Sequence, residues 1–193
     1  MSLDIVVLGP PGAGKGTQAK LIEADRGIPQ IATGEILRAA IAAGSELGLR
    51  VKAIVDRGDL VPDELMIELI REKLSGDGTA QGFVLDGFPR TLAQAEALDA
   101  MLAGLGRRLG LALEFHVPEE VVIERLLGRA RNEGRTDDAP EVIRHRLEVF
   151  RRQTEPVLEH YRARGILVAV HAERSVDEVQ AELQQALEAA DYR

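Results

Sequence analysis

Cysteine is absent from the 193 residues. That excludes disulfides, thiolate zinc sites, iron–sulfur clusters and a cysteine nucleophile. Lysine is scarce. It stands only at positions 15, 20, 52 and 73, so 20 of the 24 basic residues are Arg. Positive charge as a whole is in deficit, with a formal net charge of −8. A general nucleic-acid binder needs a basic face, so nucleic acid is not an expected partner. No stretch approaches the roughly 20 apolar residues of a membrane span. The first apolar run, Ile5–Leu8, is too short for the core of a secretion signal, and no basic residue precedes it. The expectation is a cytoplasmic protein without a membrane partner.

Hydrophobic residues make up 45% and charged residues 29%, a globular balance. The length suits one core with a modest insertion. Ile5–Leu8 reads as a buried strand that ends in the loop Gly9–Gly12. Further short strands are expected at Gly82–Gly87, Leu111–Val117 and Ile166–Val170. Helical patterns lie between them, including 15–24, 35–43, 47–57, 62–74, 92–102 and 118–127. A long helix is expected from Pro140 to Arg164, and Ser175 and Glu178 form a capping-box pattern for the last one. Strands alternating with helices imply an α/β fold, a parallel sheet with helices on both faces. Two excursions, 32–61 and the polar 128–138, read as insertions over the sheet edge where ligands bind.

Gly9-Pro10-Pro11-Gly12-Ala13-Gly14-Lys15-Gly16-Thr17 matches the P-loop pattern, with the hydroxyl one position later than usual. Glycines let backbone N–H groups reach phosphate oxygens, and the helix N-terminus adds partial positive charge. Lys15 suits the β- and γ-phosphates. Thr17 suits Mg²⁺ or its waters. Asn132, the only Asn, is followed by Glu133, so no guanine-reading Asn-Lys-x-Asp exists. The strand ending Leu85-Asp86-Gly87 supplies Asp86 for Mg²⁺ through water, but no Glu beside it to activate a hydrolytic water. A phosphate clamp without that activator favours transfer to another acceptor.

Together GPPGAGKGTQ, IATGEILR, GDLVPDEL, LDGFPRT and GRTDD resemble the nucleoside monophosphate kinases, most closely the adenylate kinase family of the short-lid subtype. The resemblance covers essentially the whole chain. It implies a P-loop NTPase fold with five parallel strands. The core would be 1–31, 62–127 and 139–193, with an AMP-binding insertion at 32–61 and a lid at 128–138. Long-lid relatives can carry zinc; this lid has neither the length nor the cysteines. The implied reaction is ATP + AMP ⇌ 2 ADP with Mg²⁺, by a monomer.

The family roles carry over by position. Gly12, Ala13, Gly14, Lys15, Gly16 and Thr17 would hold the ATP phosphates. Arg125 would stack on the ATP base, Arg129 would contact its phosphates, and Arg174 would touch the base through its backbone. On the AMP side, Thr33 and Arg38 would contact the base region and phosphate. The backbone of Asp59, Leu60 and Val61 would lie against the adenine. Gly87, Phe88, Pro89 and Arg90 would hold AMP, and Gln94 would read the adenine edge. Arg135 and Arg146 would approach the transferring phosphoryl, so the implied catalytic set is Lys15, Arg90, Arg129, Arg135 and Arg146.

Elementary chemistry agrees. The acceptor is a phosphate oxygen already ionised at neutral pH, so no general base is needed. Two polyanions must be brought together and their charge neutralised in line. Thr33, and Thr91 with Gln94, follow the adenylate kinase pattern; UMP/CMP kinase is the near alternative, and a nucleotide-binding module without catalysis the distant one. Asp137 and Asp138 are candidates to pair with the lid arginines. Arg107, Arg108, Arg151, Arg152, Arg162 and Arg164 read as solvated surface, and the four His show no metal-ligand spacing.

Overall fold

The computed structural model describes residues 2–191, with backbone alone at 77 and 191. Five strands form the sheet: β1 (Leu3–Leu8), β2 (Gln30–Ala32), β3 (Gly82–Asp86), β4 (Leu111–His116) and β5 (Leu167–His171). Their order is β2-β3-β1-β4-β5, and every pairing is parallel. The helices are α1 (Lys15–Arg26), α2 (Thr33–Ala42), α3 (Glu46–Arg57), α4 (Asp63–Leu74) and α5 (Leu92–Gly104). Then come α6 (Glu119–Glu133), α7 (Pro140–Val149), α8 (Glu155–Ala163) and α9 (Val176–Asp191).

Alternate residues of the buried strands feed opposite cores, as a period of two requires. Ile5, Val7, Leu111 and Leu113 join Ala19 and Ile22 of α1 and Leu183 and Leu187 of α9. Val6, Leu8, Phe83, Leu85 and Ala112 face Ile70 of α4, Leu98 of α5 and Tyr161 of α8. The sheet is thus covered on both sides, as the alternation of strands and helices implies. A smaller cluster, Val122, Leu126, Ile143 and Leu147, joins α6 to α7.

Strand β1 is central, with β3 on one side and β4 on the other, so the chain winds away in both directions from its carboxyl end. That edge is where an open parallel sheet forms its ligand crevice. The register sets Val7 beside Asp86, so the loop after β1 and the turn after β3 emerge together.

Three elements differ from the sequence expectation. Strand β2 is only three residues long, too short to show a pattern. Helix α6 continues through 128–133, because Ala130 and the Arg residues favour helix and outweigh the cost of Gly128. A single turn at Thr136–Asp138 follows it. The rod expected from Pro140 to Arg164 is interrupted by a wide, π-type turn at Phe150–Thr154. Pro156 explains the interruption: it has no N–H to donate and its ring crowds the preceding turn.

Candidate active site

The loop Gly9–Gly14 leads into α1 with Gly14 in the left-handed conformation and no side chain capping the helix. The first-turn N–H groups are therefore left for a ligand, beside the positive end of the helix. Lys15 folds back over the loop, donating to the carbonyls of Gly9 and Pro10, each at 2.8 Å. A Cβ at Gly16 would sit 3.3 Å from Asp86 Oδ2, so that carboxylate packs directly on the loop. Gly16, the residue that delays the hydroxyl to Thr17, leaves that space free.

The other half of the site is built around the turn after β3. Gly87 adopts φ of 84°, and a Cβ there would fall 2.5 Å from Thr33 Oγ1 and 3.1 Å from Arg90 Nη2. Only glycine lets these two groups close in. Thr33 donates to the Asp86 carbonyl at 3.2 Å, and Arg90 Nε to the Gly87 carbonyl at 2.8 Å. The Phe88–Pro89 peptide is cis. Gln94 is buried; its Oε1 accepts from the Arg90 N–H at 2.8 Å and its Nε2 donates to Asp63 at 2.8 Å. From the wide turn, Thr154 donates to the Arg90 carbonyl at 2.9 Å.

Between the halves lies a cationic centre. Arg129 forks onto Asp138 at 2.6 and 2.8 Å, and Arg135 forks onto Asp137 at 3.0 and 2.8 Å. Arg146 reaches Asp138 at 2.7 Å and the Asp137 carbonyl at 2.9 Å. Burial pushes the Lys15 ammonium down to about 8, with Asp86 opposing and Arg90, Arg146 and Arg129 adding to the fall. Burial also lowers Arg146, to about 10. Burial alone would raise Asp137; the Arg135 hydrogen bonds and the charges of Arg146 and Arg135 instead hold it down to about 2. So many cations gathered in a partly dry cleft form a site matched to a polyanion.

The cleft has a volume of about 580 Å³ and runs from the P-loop past Arg90, Arg129, Arg135 and Arg146 to Phe150 and Thr154. A second cavity of about 60 Å³ opens beside it, lined by Thr33, Leu60, Val61 and Gln94 among others. Arg38, Arg90 and Arg146 line both cavities.

Comparison with known proteins decides the family. A sequence model described as adenylate kinase matches residues 7–166. An adenylate kinase of Thermobifida fusca is 51% identical over 175 residues, covering 91% of this chain and 93% of its own. One of Phenylobacterium zucineum is 50% identical over 188 residues, 97% of this chain and 99% of its own. One of Thermus thermophilus is 51% identical over 183 residues, 95% and 96% of the two chains. The chain belongs to the adenylate kinase family.

Most of the positions that the adenylate kinase motifs picked out converge on these cavities. Gly12, Gly14, Lys15, Gly16, Thr17, Arg125 and Arg129 line the large cleft, with Asp86. Thr33, Arg38, Asp59, Leu60, Val61, Gly87, Arg90, Gln94 and Arg146 line the small one, Pro89 and Arg135 the large one. Three residues stand apart. Ala13 and Phe88 have buried side chains, packed into the two cores on either side of the sheet. Arg174 lies on an exposed loop with its side chain on Glu182 at 2.6 Å. Its neighbours Ala172 and Glu173 offer their carbonyls to Arg125, at 2.9 and 3.3 Å, so Arg125 and that loop are joined.

Sequence reading missed other parts of the site. Asp63, in the GDLVPDEL motif but without an expected role, holds Gln94 from 31 residues away. Lys20 and Glu35, both on the cleft, form an ion pair at 3.0 Å that bridges α1 and α2. Arg107 is not solvated surface: it forks onto the fully buried Asp4, with Nε at 3.0 Å, and lies over the Phe83 ring. Burial raises the Asp4 carboxyl, and Arg107 opposes that. This pair sits at the start of β1, at the end of the strand away from the P-loop.

Proposed function

We propose that the chain transfers the γ-phosphoryl group of ATP to AMP, reversibly, giving two ADP. The observation that carries this reading is the arrangement of two cavities that share Arg38, Arg90 and Arg146, with the P-loop on one side only. Two phosphorylated ligands would meet at those arginines. The adenylate kinase names of the relatives favour AMP over UMP or CMP as acceptor.

The protein's task is placement and charge neutralisation. The N–H groups of Gly12–Thr17 hold the β- and γ-phosphates. Lys15 leaves its two carbonyl partners and follows the charge that spreads during transfer. Arg90 and Arg38 hold the acceptor phosphate. Arg129, Arg135 and Arg146 neutralise the transferring group. Because Asp137 and Asp138 occupy these guanidinium groups in this structure, the phosphates replace carboxylates rather than water, and the forks are already oriented. Alignment of two bound substrates supplies up to roughly 7–11 kcal/mol of the barrier.

Mg²⁺, bound with ATP, would neutralise charge on the β- and γ-oxygens. Asp86, pressed on the P-loop, and Thr17, on the cleft, fit it as holders through water. Two oxygen donors are too few for an all-protein cage, which suits an ion that keeps its waters and takes phosphate oxygens. Among the described residues no group of three or more His, Cys, Asp or Glu is placed to hold a metal ion.

The domain reading follows the same lines: α2 and α3 as the AMP-binding insertion over 32–61, and 128–138 as a lid that keeps water from the phosphoryl group. Support comes from Arg129 and Arg135, both on this segment and both lining the cleft. That the chain works as a monomer is what its resemblance to the short-lid adenylate kinases implies. A cytoplasmic location, where ATP and AMP are abundant, belongs to the same reading.

One reaction mixture tests the proposal. ADP with Mg²⁺ as the sole nucleotide should yield ATP and AMP in equal amounts, while ATP alone stays intact. Steady release of inorganic phosphate from ATP alone would overturn it in favour of a hydrolase.

A further inference from the structure

The Gln94 amide is held at both ends. Its carbonyl accepts from the Arg90 N–H at 2.8 Å, and its NH₂ donates to Asp63 Oδ1 at 2.8 Å. An ionised carboxylate only accepts, and a backbone N–H only donates. Turning the amide over would set its NH₂ against the Arg90 N–H and its oxygen against the Asp63 carboxylate. Both contacts would be repulsive, so the polarity of this buried group is fixed. Thr91 Oγ1 also donates to Asp63 Oδ1, at 3.0 Å, which fixes the carboxylate in turn.

With those bonds made, the amide retains one N–H and one lone pair, and Gln94 lines the small cavity. A donor beside an acceptor, in fixed order, complements a base edge with an amino group beside an unprotonated ring nitrogen. Adenine has that edge. A 6-oxopurine has the reverse, an oxygen beside a ring N–H, and would meet the amide like to like. We infer that Asp63 is a positioning residue that, through the Gln94 amide, sets the preference for an amino-bearing base over a 6-oxopurine at the acceptor site. The inference rests on the proposed reading of Gln94 as the residue that meets the acceptor base.

The test compares kcat/KM for AMP and for inosine monophosphate, with ATP and Mg²⁺, in four variants of the full chain. Gln94→Ala should reduce the AMP preference, which establishes that the amide reads the base. Asp63→Ala should lower the AMP-to-IMP ratio at least tenfold, mostly through KM for the acceptor, with KM for ATP unchanged. Asp63→Asn, which offers an acceptor oxygen in one of its two amide orientations, should restore the ratio in part. Asp63→Ser suits a helix start but donates as readily as it accepts, so it should lose the ratio and serves if the Ala variant does not fold. A lost ratio in Gln94→Ala with an intact one in the folded Ala or Ser variant would make Asp63 a mere clip between α4 and α5, and overturn the inference. An intact ratio in Gln94→Ala would overturn the reading of Gln94, and the inference with it.

Discussion

Asp138 grips Arg129 with both carboxylate oxygens, at 2.6 and 2.8 Å, from a position with no exposed surface. The same carboxylate takes Arg146 at 2.7 Å. With Arg135 Nε 3.6 Å away, it holds three cations that would otherwise repel one another, in the manner of a phosphate. Asp138→Ala should therefore cost about 3 kcal/mol, since removing one partner strands buried charge. The melting temperature without nucleotide should fall by roughly 6–12 °C. A diadenosine polyphosphate restores the missing anion, so its stabilising shift should be larger in the variant than in the parent. Calorimetry with and without that ligand measures both effects.

Lys15 gives a kinetic prediction with a pH signature. Its ammonium is held down to about 8 in the free protein. As pH rises through 8 the free enzyme loses this charge, so kcat/KM for ATP should fall above that pH. Bound phosphates restore the charge, so kcat should hold to higher pH. Lys15→Met should lower kcat roughly 10²–10³-fold and abolish that limb of the profile. Because the folded-state value lies below the ordinary one, the charged lysine costs stability at pH 7, and the Met variant should melt no lower than the parent. Near-normal kcat in the folded variant would remove Lys15 from the transfer step.

Acid should reach the turn at Thr136–Asp138 through Asp137. Its carboxyl is held at about 2, below the ordinary value near 3.9. A depressed carboxylate stabilises the fold at pH values above the ordinary range, and that contribution fades as pH falls from about 4 to 2. The amount at stake is about 2 kcal/mol. Asp137→Asn should be less stable at pH 7 and flatter in its acid unfolding curve than the parent. Chemical denaturation at stepped pH measures the difference.

The Asp4–Arg107 pair predicts the opposite separation. It is buried and lies at the far end of β1 from the cleft. Arg107→Ala should cost about 3–5 kcal/mol by stranding the Asp4 carboxylate. At a temperature where the variant is folded, kcat and both KM values should match the parent. A loss of kcat in the folded variant would contradict the assignment of this pair to stability alone.

What the sequence revealed depended on how local the signal was. The P-loop is nine consecutive residues whose types match one chemistry, and the structure places it at the carboxyl end of β1 as expected. Strand β2 escaped because three residues cannot show a period. Helix α6 outran its expected end because polar residues that read as an excursion are also good helix formers. The ties of Arg107 to Asp4 and of Gln94 to Asp63 span 103 and 31 residues, and nothing in residue spacing signals such a meeting. Asp137 and Asp138 were visible as partners because their arginines lie within nine residues along the chain.

On the proposed reading, two adjoining cavities bring ATP and AMP together for direct transfer. A coupled assay of ADP formation from ATP and Mg²⁺, run in parallel with AMP, CMP, UMP and GMP, tests it most directly. Fast, stoichiometric formation of two ADP is expected with AMP, and little turnover with the other three. Equal or faster turnover with CMP or UMP, or none with AMP, would contradict it.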